Sequence, residues 1–283
     1  MEVQALAKLN LTLDVLGTRP DGFHDLRMVM QSIALSDVLR FQENGTQTIR
    51  VASNMSFLPT GEKNLAAAAA MRFYEALNRP CRGFDLTLEK HIPVCAGMGG
   101  GSSDAAAVLR AINDLEGNPF SLMELAQVGE RVGSDVPYCV IGGTALAEGR
   151  GEILTPLPPL PKCWVVVCKP NFSISTPELF GAIDRCKVRC RPDTKGMLKA
   201  LEAGDLEGVA RRLYNVFEDV LTPRQYKKVE EIKRILIQCG ALGANMSGTG
   251  PTAFGLFSDI NAAEEAYRSL KEQYTETFLT QTV

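Results

Sequence analysis

No apolar stretch of this 283-residue chain reaches the ~18 residues that a membrane-spanning helix requires, which argues against a membrane role. There is no basic tail and no Lys/Arg run interleaved with aromatics. With 30 basic and 33 acidic residues the formal charge is -3, so the electrostatic footprint of a nucleic-acid binder is missing, while a nucleotide ligand stays open. The eight cysteines, Cys81, Cys95, Cys139, Cys163, Cys168, Cys186, Cys190 and Cys239, contain no C-x-x-C pair and sit in apolar or mixed surroundings, as reduced core thiols do. Cys186 and Cys190 would face one another on a helix, but two further ligands nearby are lacking, so a zinc site has little support and no metal ligands are assigned. No charged-then-apolar leader precedes the first strand-like residues, from which a cytoplasmic location is expected. Internal repeats are absent, and low complexity is confined to alanines around residues 66–70. What remains is an ordinary soluble composition, 45% hydrophobic and 22% charged, on a length that suits two domains.

What is present has an α+β order without regular βαβ repeats. Residues 3–16 read as a strand, the turn chemistry of Gly17-Thr18-Arg19-Pro20-Asp21-Gly22 follows, and a second apolar stretch runs through Leu39, so the chain opens with a hairpin. A strand is expected at 46–52, a helix from Asn64 to Leu77, a strand from Phe84 to Glu89, and helices at 104–115 and 121–132. Tyr138 to Ile141 reads as a short apolar strand, which puts Asp135 at a helix-to-strand junction. Four prolines between Pro156 and Pro161 mark a semi-rigid linker, and the expected domains are residues 1–155 and 162–283. Beyond it come strands at Trp164–Cys168 and Ala253–Phe257, helical segments over much of 177–240, and a final helix near 261–273.

The run Pro93-Val94-Cys95-Ala96-Gly97-Met98-Gly99-Gly100-Gly101-Ser102-Ser103-Asp104 feeds the helical Ala105-Ala106-Ala107-Val108-Leu109. A glycine-rich loop entering a helix presents backbone N–H groups to an anion, and Ser102 and Ser103 add hydroxyls, so the run points to phosphate chemistry. It lacks the Lys of a G-x-x-x-x-G-K-[ST] loop and the G-x-G-x-x-G spacing of a dinucleotide fold. A turn packed tightly on a neighbouring helix would use the same residues. A second small-residue cluster, Gly240 to Thr252, can bring backbone close to a ligand through its glycines, with Ser247 and Thr249 as donors, or serve as a tight turn.

Three motifs in order, Ala7-Lys8-Leu9-Asn10-Leu11, the glycine loop at 93–106 and Met246-Ser247-Gly248-Thr249-Gly250-Pro251-Thr252, resemble those of the galactokinase, homoserine, mevalonate and phosphomevalonate (GHMP) kinase superfamily. Arg19-Pro20-Asp21-Gly22-Phe23-His24, Gly133-Ser134-Asp135-Val136-Pro137 and Ala147 to Leu154 are similar to the 4-diphosphocytidyl-2-C-methyl-D-erythritol kinase family within it. The resemblance spans nearly the whole chain. It implies a two-domain fold with the active site in an interdomain cleft, ATP and Mg²⁺ as co-substrate and ion, and a small acceptor carrying a cytidine diphosphate moiety. It implies a catalytic pair, Lys8 and Asp135, and an ATP loop made of Pro93, Val94, Cys95, Ala96, Gly97, Met98, Gly99, Gly100, Gly101, Ser102 and Ser103. It places Asn10, Phe23, His24, Phe180, Gly248 and Thr249 on the substrate side, with Phe23 and Phe180 stacking on the cytosine, and allows a monomer or weak homodimer. Phosphoryl transfer to a hydroxyl needs an in-line oxygen, a proton acceptor and charge stabilisation, which Asp135 and Lys8 would supply. Asp104 could instead cap its helix. Cys95 and Met98 stand where the family often has small or aliphatic residues, and Phe23 where it often has Tyr. A homoserine or mevalonate-type kinase is the nearer alternative, against which Phe23 and His24 argue; a non-catalytic nucleotide-binding module is the more distant one, against which Lys8 and Asp135 argue.

Overall fold

The computed structural model describes residues 1–283, which divide into two compact units. The first comprises Met1–Ala7, Leu35–Val94 and Gly99–Gly142, the second Lys8–Ala34, Cys95–Met98 and Gly143–Val283. These units interleave along the chain. The proline-rich stretch runs inside the second unit, where Leu157 N donates to Thr144 O at 2.9 Å and Leu160 N to Thr144 Oγ1 at 3.0 Å.

In the first unit, strand β3 (Ile49–Ser53) lies parallel to β4 (Phe84–Glu89), and β4 pairs antiparallel with the end of the long strand β2 (His24–Glu43), from Val38 opposite Glu89 to Glu43 opposite Phe84. Helix α1 (Leu65–Leu77) starts where Asn64 Oδ1 accepts from Ala66 N, and it packs on α2 (Gly100–Leu115). Both buried faces are largely alanine, Ala66, Ala67, Ala69 and Ala70 against a run from Ala105 to Ala107, so the axes can approach closely. Phe73 closes the core edge-on against Phe120 at 5.3 Å. Helix α3 (Leu122–Glu130) begins with a capping box between Ser121 and Glu124.

Residues 138–141, expected as a strand, form part of a short helix, α4 (Val136–Ile141). A brief apolar run carries no period of its own, and three things decide for helix: Pro137 in the first turn, packing on α2 and α3, and Arg110, whose guanidinium donates to Cys139 O at 2.6 Å and Val140 O at 3.2 Å. Asp135 is consequently the residue at the N-terminal edge of a helix.

In the second unit, the parts of β1 (Glu2–Thr18) and β2 on either side of the 19–23 turn carry the early residues of interest. This half of β2 pairs with β5 (Thr144–Gly149), and β5 with β6 (Ile153–Pro156). β1 runs parallel to the two-residue strand β8 (Tyr214–Asn215). A separate antiparallel sheet has the order β11 (Thr277–Gln281), β7 (Trp164–Cys168), β10 (Ala253–Phe257), β9 (Gly243–Met246). β7 and β10 are buried almost throughout, which is why they read as unbroken apolar runs. Helices α8 (Pro223–Gln238) and α9 (Ile260–Lys271) pack on this sheet. Helices α5 (Thr176–Ile183), α6 (Thr194–Glu202) and α7 (Leu206–Ala210) complete the unit.

The cysteines do not all enter the core as expected. Cys139, Cys163 and Cys168 are buried, whereas Cys95 and Cys190 are exposed and Cys81, Cys186 and Cys239 lie between; all eight are free thiols. Cys186 and Cys190 follow the end of α5 and so are not stacked on a helix face.

Candidate functional site

Lys8 is 4% exposed, and its Nζ donates to Asn10 Oδ1 at 2.7 Å, two residues along the same strand face. Asn10 is fully buried, and its amide nitrogen reaches Met28 Sδ at 3.3 Å, so this side chain positions Lys8 from within the protein. The backbone completes the arrangement: Lys8 N donates to Met98 O at 3.0 Å, and Asn10 N to Ser247 Oγ at 3.2 Å. Ser247 Oγ in turn donates to Gly97 O at 2.9 Å. In the second unit, one strand, part of the glycine loop and the 247–250 turn are thereby tied together.

Three left-handed residues shape that loop, Cys95 at φ 53°, Gly97 at φ 72° and Gly99 at φ 69°. A Cβ on Gly97 would lie 2.1 Å from Ser247 O, so the close approach to the turn requires glycine. Gly248 faces the loop from the turn, its Cβ position lying 2.9 Å from Gly97 O and 3.3 Å from Asn10 Oδ1. Asn215 Nδ2 donates to both Met246 O and Gly248 O at 2.8 Å, and Thr249 Oγ1 lies 3.0 Å from Thr176 Oγ1. Nothing in the sequence singled out Asn215, because its partners are far along the chain.

Helix α2 begins at Gly100, four residues earlier than expected, with Gly99 at its N-cap in the left-handed region and no side-chain cap. Its leading N–H groups therefore have no capping side chain, as an anion site requires. Ser103 Oγ donates inward to Leu6 O at 2.6 Å, while Ser102 stays half-buried. Of the remaining loop residues, Pro93, Ala96 and Met98 are buried, Val94, Gly99 and Gly100 are half-buried, and Cys95 and Gly101 are exposed.

Asp104 does not cap the helix. It lies in the second turn, where its Oδ2 accepts from Lys90 Nζ at 2.5 Å, and Lys90 also pairs with Asp37. Asp37 Oδ1 accepts from His91 N at 2.6 Å and Ile92 N at 2.8 Å, fixing the segment that leads into the glycine loop. Burial pushes the Asp104 carboxyl up, against the pull of Lys90, to about 7, and its Oδ1 has no hydrogen-bond partner. An acidic residue within the apolar β2 and a lysine at the end of β4 were the sequence signals for this cluster. Asp135, half-buried at the N-cap of α4, belongs to the same first unit.

On the substrate side, His24 packs against Phe180 with ring centroids 4.6 Å apart, and Phe180 meets Phe217 edge-on at 4.9 Å. Phe23 does not join them: its ring is 52% exposed and lies under the guanidinium of Arg150, 5.0 Å from the centroid. Arg150 sits on the β5–β6 turn, where its N donates to Glu152 Oε2 at 2.6 Å. No group of three or more His, Cys, Asp or Glu side chains is placed to hold a metal ion, and no helix is long and apolar enough to cross a membrane.

Residues 64–143 match the model for the GHMP kinases N terminal domain, and residues 197–276 that for GHMP kinases C terminal. The 4-diphosphocytidyl-2-C-methyl-D-erythritol kinase of Alkaliphilus metalliredigens is 41% identical, with 99% of this chain and 96% of that protein covered. The enzyme of the same name from Lachnoclostridium phytofermentans is 43% identical at the same coverage. A crystal structure of 4-(cytidine 5'-diphospho)-2C-methyl-D-erythritol kinase superposes with a TM-score of 0.80 at 32% identity, covering 100% of this chain and 99% of that one. Homoserine kinase from Cytophaga hutchinsonii, 20% identical over 100% of this chain and 94% of its own, shares the fold at a TM-score of 0.73. Identity at this level along essentially the full length of both partners, with the two-domain GHMP kinase fold, makes the chain a member of the 4-diphosphocytidyl-2-C-methyl-D-erythritol kinase family.

Proposed function

We propose that this kinase transfers the γ-phosphoryl group of ATP to the 2-hydroxyl of 4-diphosphocytidyl-2-C-methyl-D-erythritol, giving the 2-phosphate and ADP in non-mevalonate isoprenoid precursor biosynthesis. The observation that carries the reading is the buried Lys8, held by Asn10 and bonded through its backbone to the glycine loop, in a chain of this family. In this reading Asp135 accepts the hydroxyl proton and Lys8 stabilises charge on the transferring group. Residues Pro93 to Ser103 cradle the triphosphate, Gly248 and Thr249 lie near the phosphates or substrate, and Phe23, His24 and Phe180 receive the cytosine. Residues 1–155 supply the ATP-binding part and 162–283 the C-terminal part of a cytoplasmic monomer or weak homodimer.

Mg²⁺ fits this donor set as an ion carried by the nucleotide. Ser103 Oγ donates inward to Leu6 O, and Asp104 is buried against Lys90 with its Oδ1 unpartnered, so the half-buried Ser102 hydroxyl is the more accessible side-chain oxygen at the head of α2 that would complete a shell of phosphate and water. Bound there, the ion would neutralise phosphate charge.

The test is an assay of the purified protein with ATP, Mg²⁺ and 4-diphosphocytidyl-2-C-methyl-D-erythritol, with homoserine and mevalonate as parallel acceptors and products read by mass spectrometry. Selective phosphorylation of the cytidylyl substrate is expected. Transfer to another acceptor would overturn the substrate assignment, and ATP binding without transfer to any of them would overturn the kinase reading.

A further inference from the structure

His24 opens β2, and its ring is held by a carboxylate that the proposed reaction does not use. Nε2 lies 2.7 Å from Asp184 Oδ1, and Thr18 Oγ1 donates to that same oxygen at 3.2 Å. Asp184 is the C-cap residue of α5, the helix that also carries Phe180, so one short helix supplies both the ring's stacking partner and its hydrogen-bond partner. The imidazole is 10% exposed and the carboxylate 41%. The hydrogen bond from His24 holds the Asp184 carboxyl below the usual range, so it is ionised at neutral pH.

An ionised carboxylate only accepts hydrogen bonds, which requires the proton on His24 Nε2. In the neutral ring Nδ1 is then a bare lone pair, and the protein provides no hydrogen-bond partner for it. Cytosine and uracil differ at two adjacent edge positions: position 4 carries an exocyclic amine in cytosine and a carbonyl oxygen in uracil, and N3 is a bare acceptor in cytosine and an N–H donor in uracil, so an acceptor discriminates for cytosine where it faces position 4. A fixed acceptor favours the amine and opposes its lone pair to the carbonyl. We propose that Asp184 is a positioning residue for base recognition, holding His24 in the Nε2–H tautomer so that Nδ1 accepts from the cytosine amine and disfavours uracil. This inference rests on the cytidylyl-substrate reading above.

The experiment compares the wild-type enzyme with D184A and D184N. Steady-state kinetics use ATP with the cytidine substrate and with its uridine counterpart, and ¹⁵N NMR of the imidazole rings reports which nitrogen carries the proton. The chain has two histidines, so H91Q leaves His24 as the single signal. D184N keeps an acceptor oxygen facing Nε2 and is expected to retain the tautomer and the preference for cytosine. D184A is expected to mix the tautomers, raise KM for the cytidine substrate about ten-fold, the scale of one lost hydrogen bond, and leave KM for ATP unchanged. The preference over uridine should narrow by a similar factor. A purely structural role would lower Tm without moving the tautomer or the base preference, and that result in D184A would overturn the proposal. Equal rises in KM for both bases would do the same. Absence of transfer by the wild-type enzyme would instead overturn the substrate reading, while the NMR signal would still test the histidine–aspartate pair.

Discussion

Replacing Gly97 by alanine tests whether close backbone contact between the glycine loop and the 247–250 turn builds the nucleotide side of the site. The added Cβ would stand 2.1 Å from Ser247 O and 2.9 Å from Gly250 N, both backbone atoms that cannot rotate away. Its φ of 72° adds the left-handed penalty of ~1–2 kcal/mol for any residue with a Cβ. Moving the turn aside breaks the bond from Ser247 Oγ to Gly97 O and strains that from Asn10 N to Ser247 Oγ, each worth ~1 kcal/mol. The sum is about 3–4 kcal/mol. Gly45 provides the control, because it has a similar φ of 66° and nothing within 4 Å of its Cβ position, so G45A carries the conformational penalty alone. Differential scanning calorimetry should show G97A melting roughly 6–8 °C below wild type and G45A roughly 2–4 °C below, taking ~2 °C per kcal/mol for a chain of this size. In kinetics, G97A should raise KM for ATP, with G45A unchanged. Equal Tm losses in the two variants, or an unaltered KM for ATP in a G97A protein that has lost stability, would refute the reasoning.

Other expectations follow from separate observations. D135N should bind both ligands with wild-type affinity and lose ~10²–10⁴-fold in kcat, the range for a removed general base; unchanged turnover, with products read by mass spectrometry, would remove Asp135 from the chemistry. Burial disfavours the ionised form of Asp104 and the neighbouring Asp37 carboxylate adds to this, both against the pull of the Lys90 that the two acids share, so Asp104 takes up the proton. Its folded-state pKa of about 7 lies above the ordinary 3.8, so its contribution to stability is complete below about pH 4 and is lost as pH rises through 7. Urea denaturation from pH 4 to 8 should show this decline in the wild type and a flatter profile in D104N. Iodoacetamide should label the exposed Cys95 well ahead of the buried Cys139, Cys163 and Cys168 and inactivate the enzyme as it does so; full activity after alkylation at Cys95, verified by peptide mass, would separate that thiol from the site.

Elements bounded by glycine or proline and carrying a clear period were legible along the chain: β4, β7 and β10 fall on the residues expected, and α1 starts at its asparagine cap. The failures are short or ambiguous segments. Residues 138–141 are apolar without a period, and their helical state is set by packing on α2 and α3 and by the Arg110 guanidinium. β8 has only two residues, and β9 lies in a glycine-rich cluster whose composition reads as a turn until β10 pairs with it. The start of α2 lies four residues ahead of the expected one because glycines at 100 and 101 have poor helix propensity, yet the helix runs through them from Gly99.

By itself the sequence determined what depends on neighbours along the chain. Only glycine-rich backbone takes the left-handed turns at Gly97 and Gly99, and the order of the three motifs carried the family. Tertiary structure alone decided which side chains support the site, because their partners are remote. Ser247 reaches Gly97 across 150 residues, Asn10 N reaches Ser247 across 237, and Asp184 reaches His24 across 160. Such contacts form only when packing of the apolar strands brings the segments together, and no local preference of histidine, asparagine or serine announces the partner it will find.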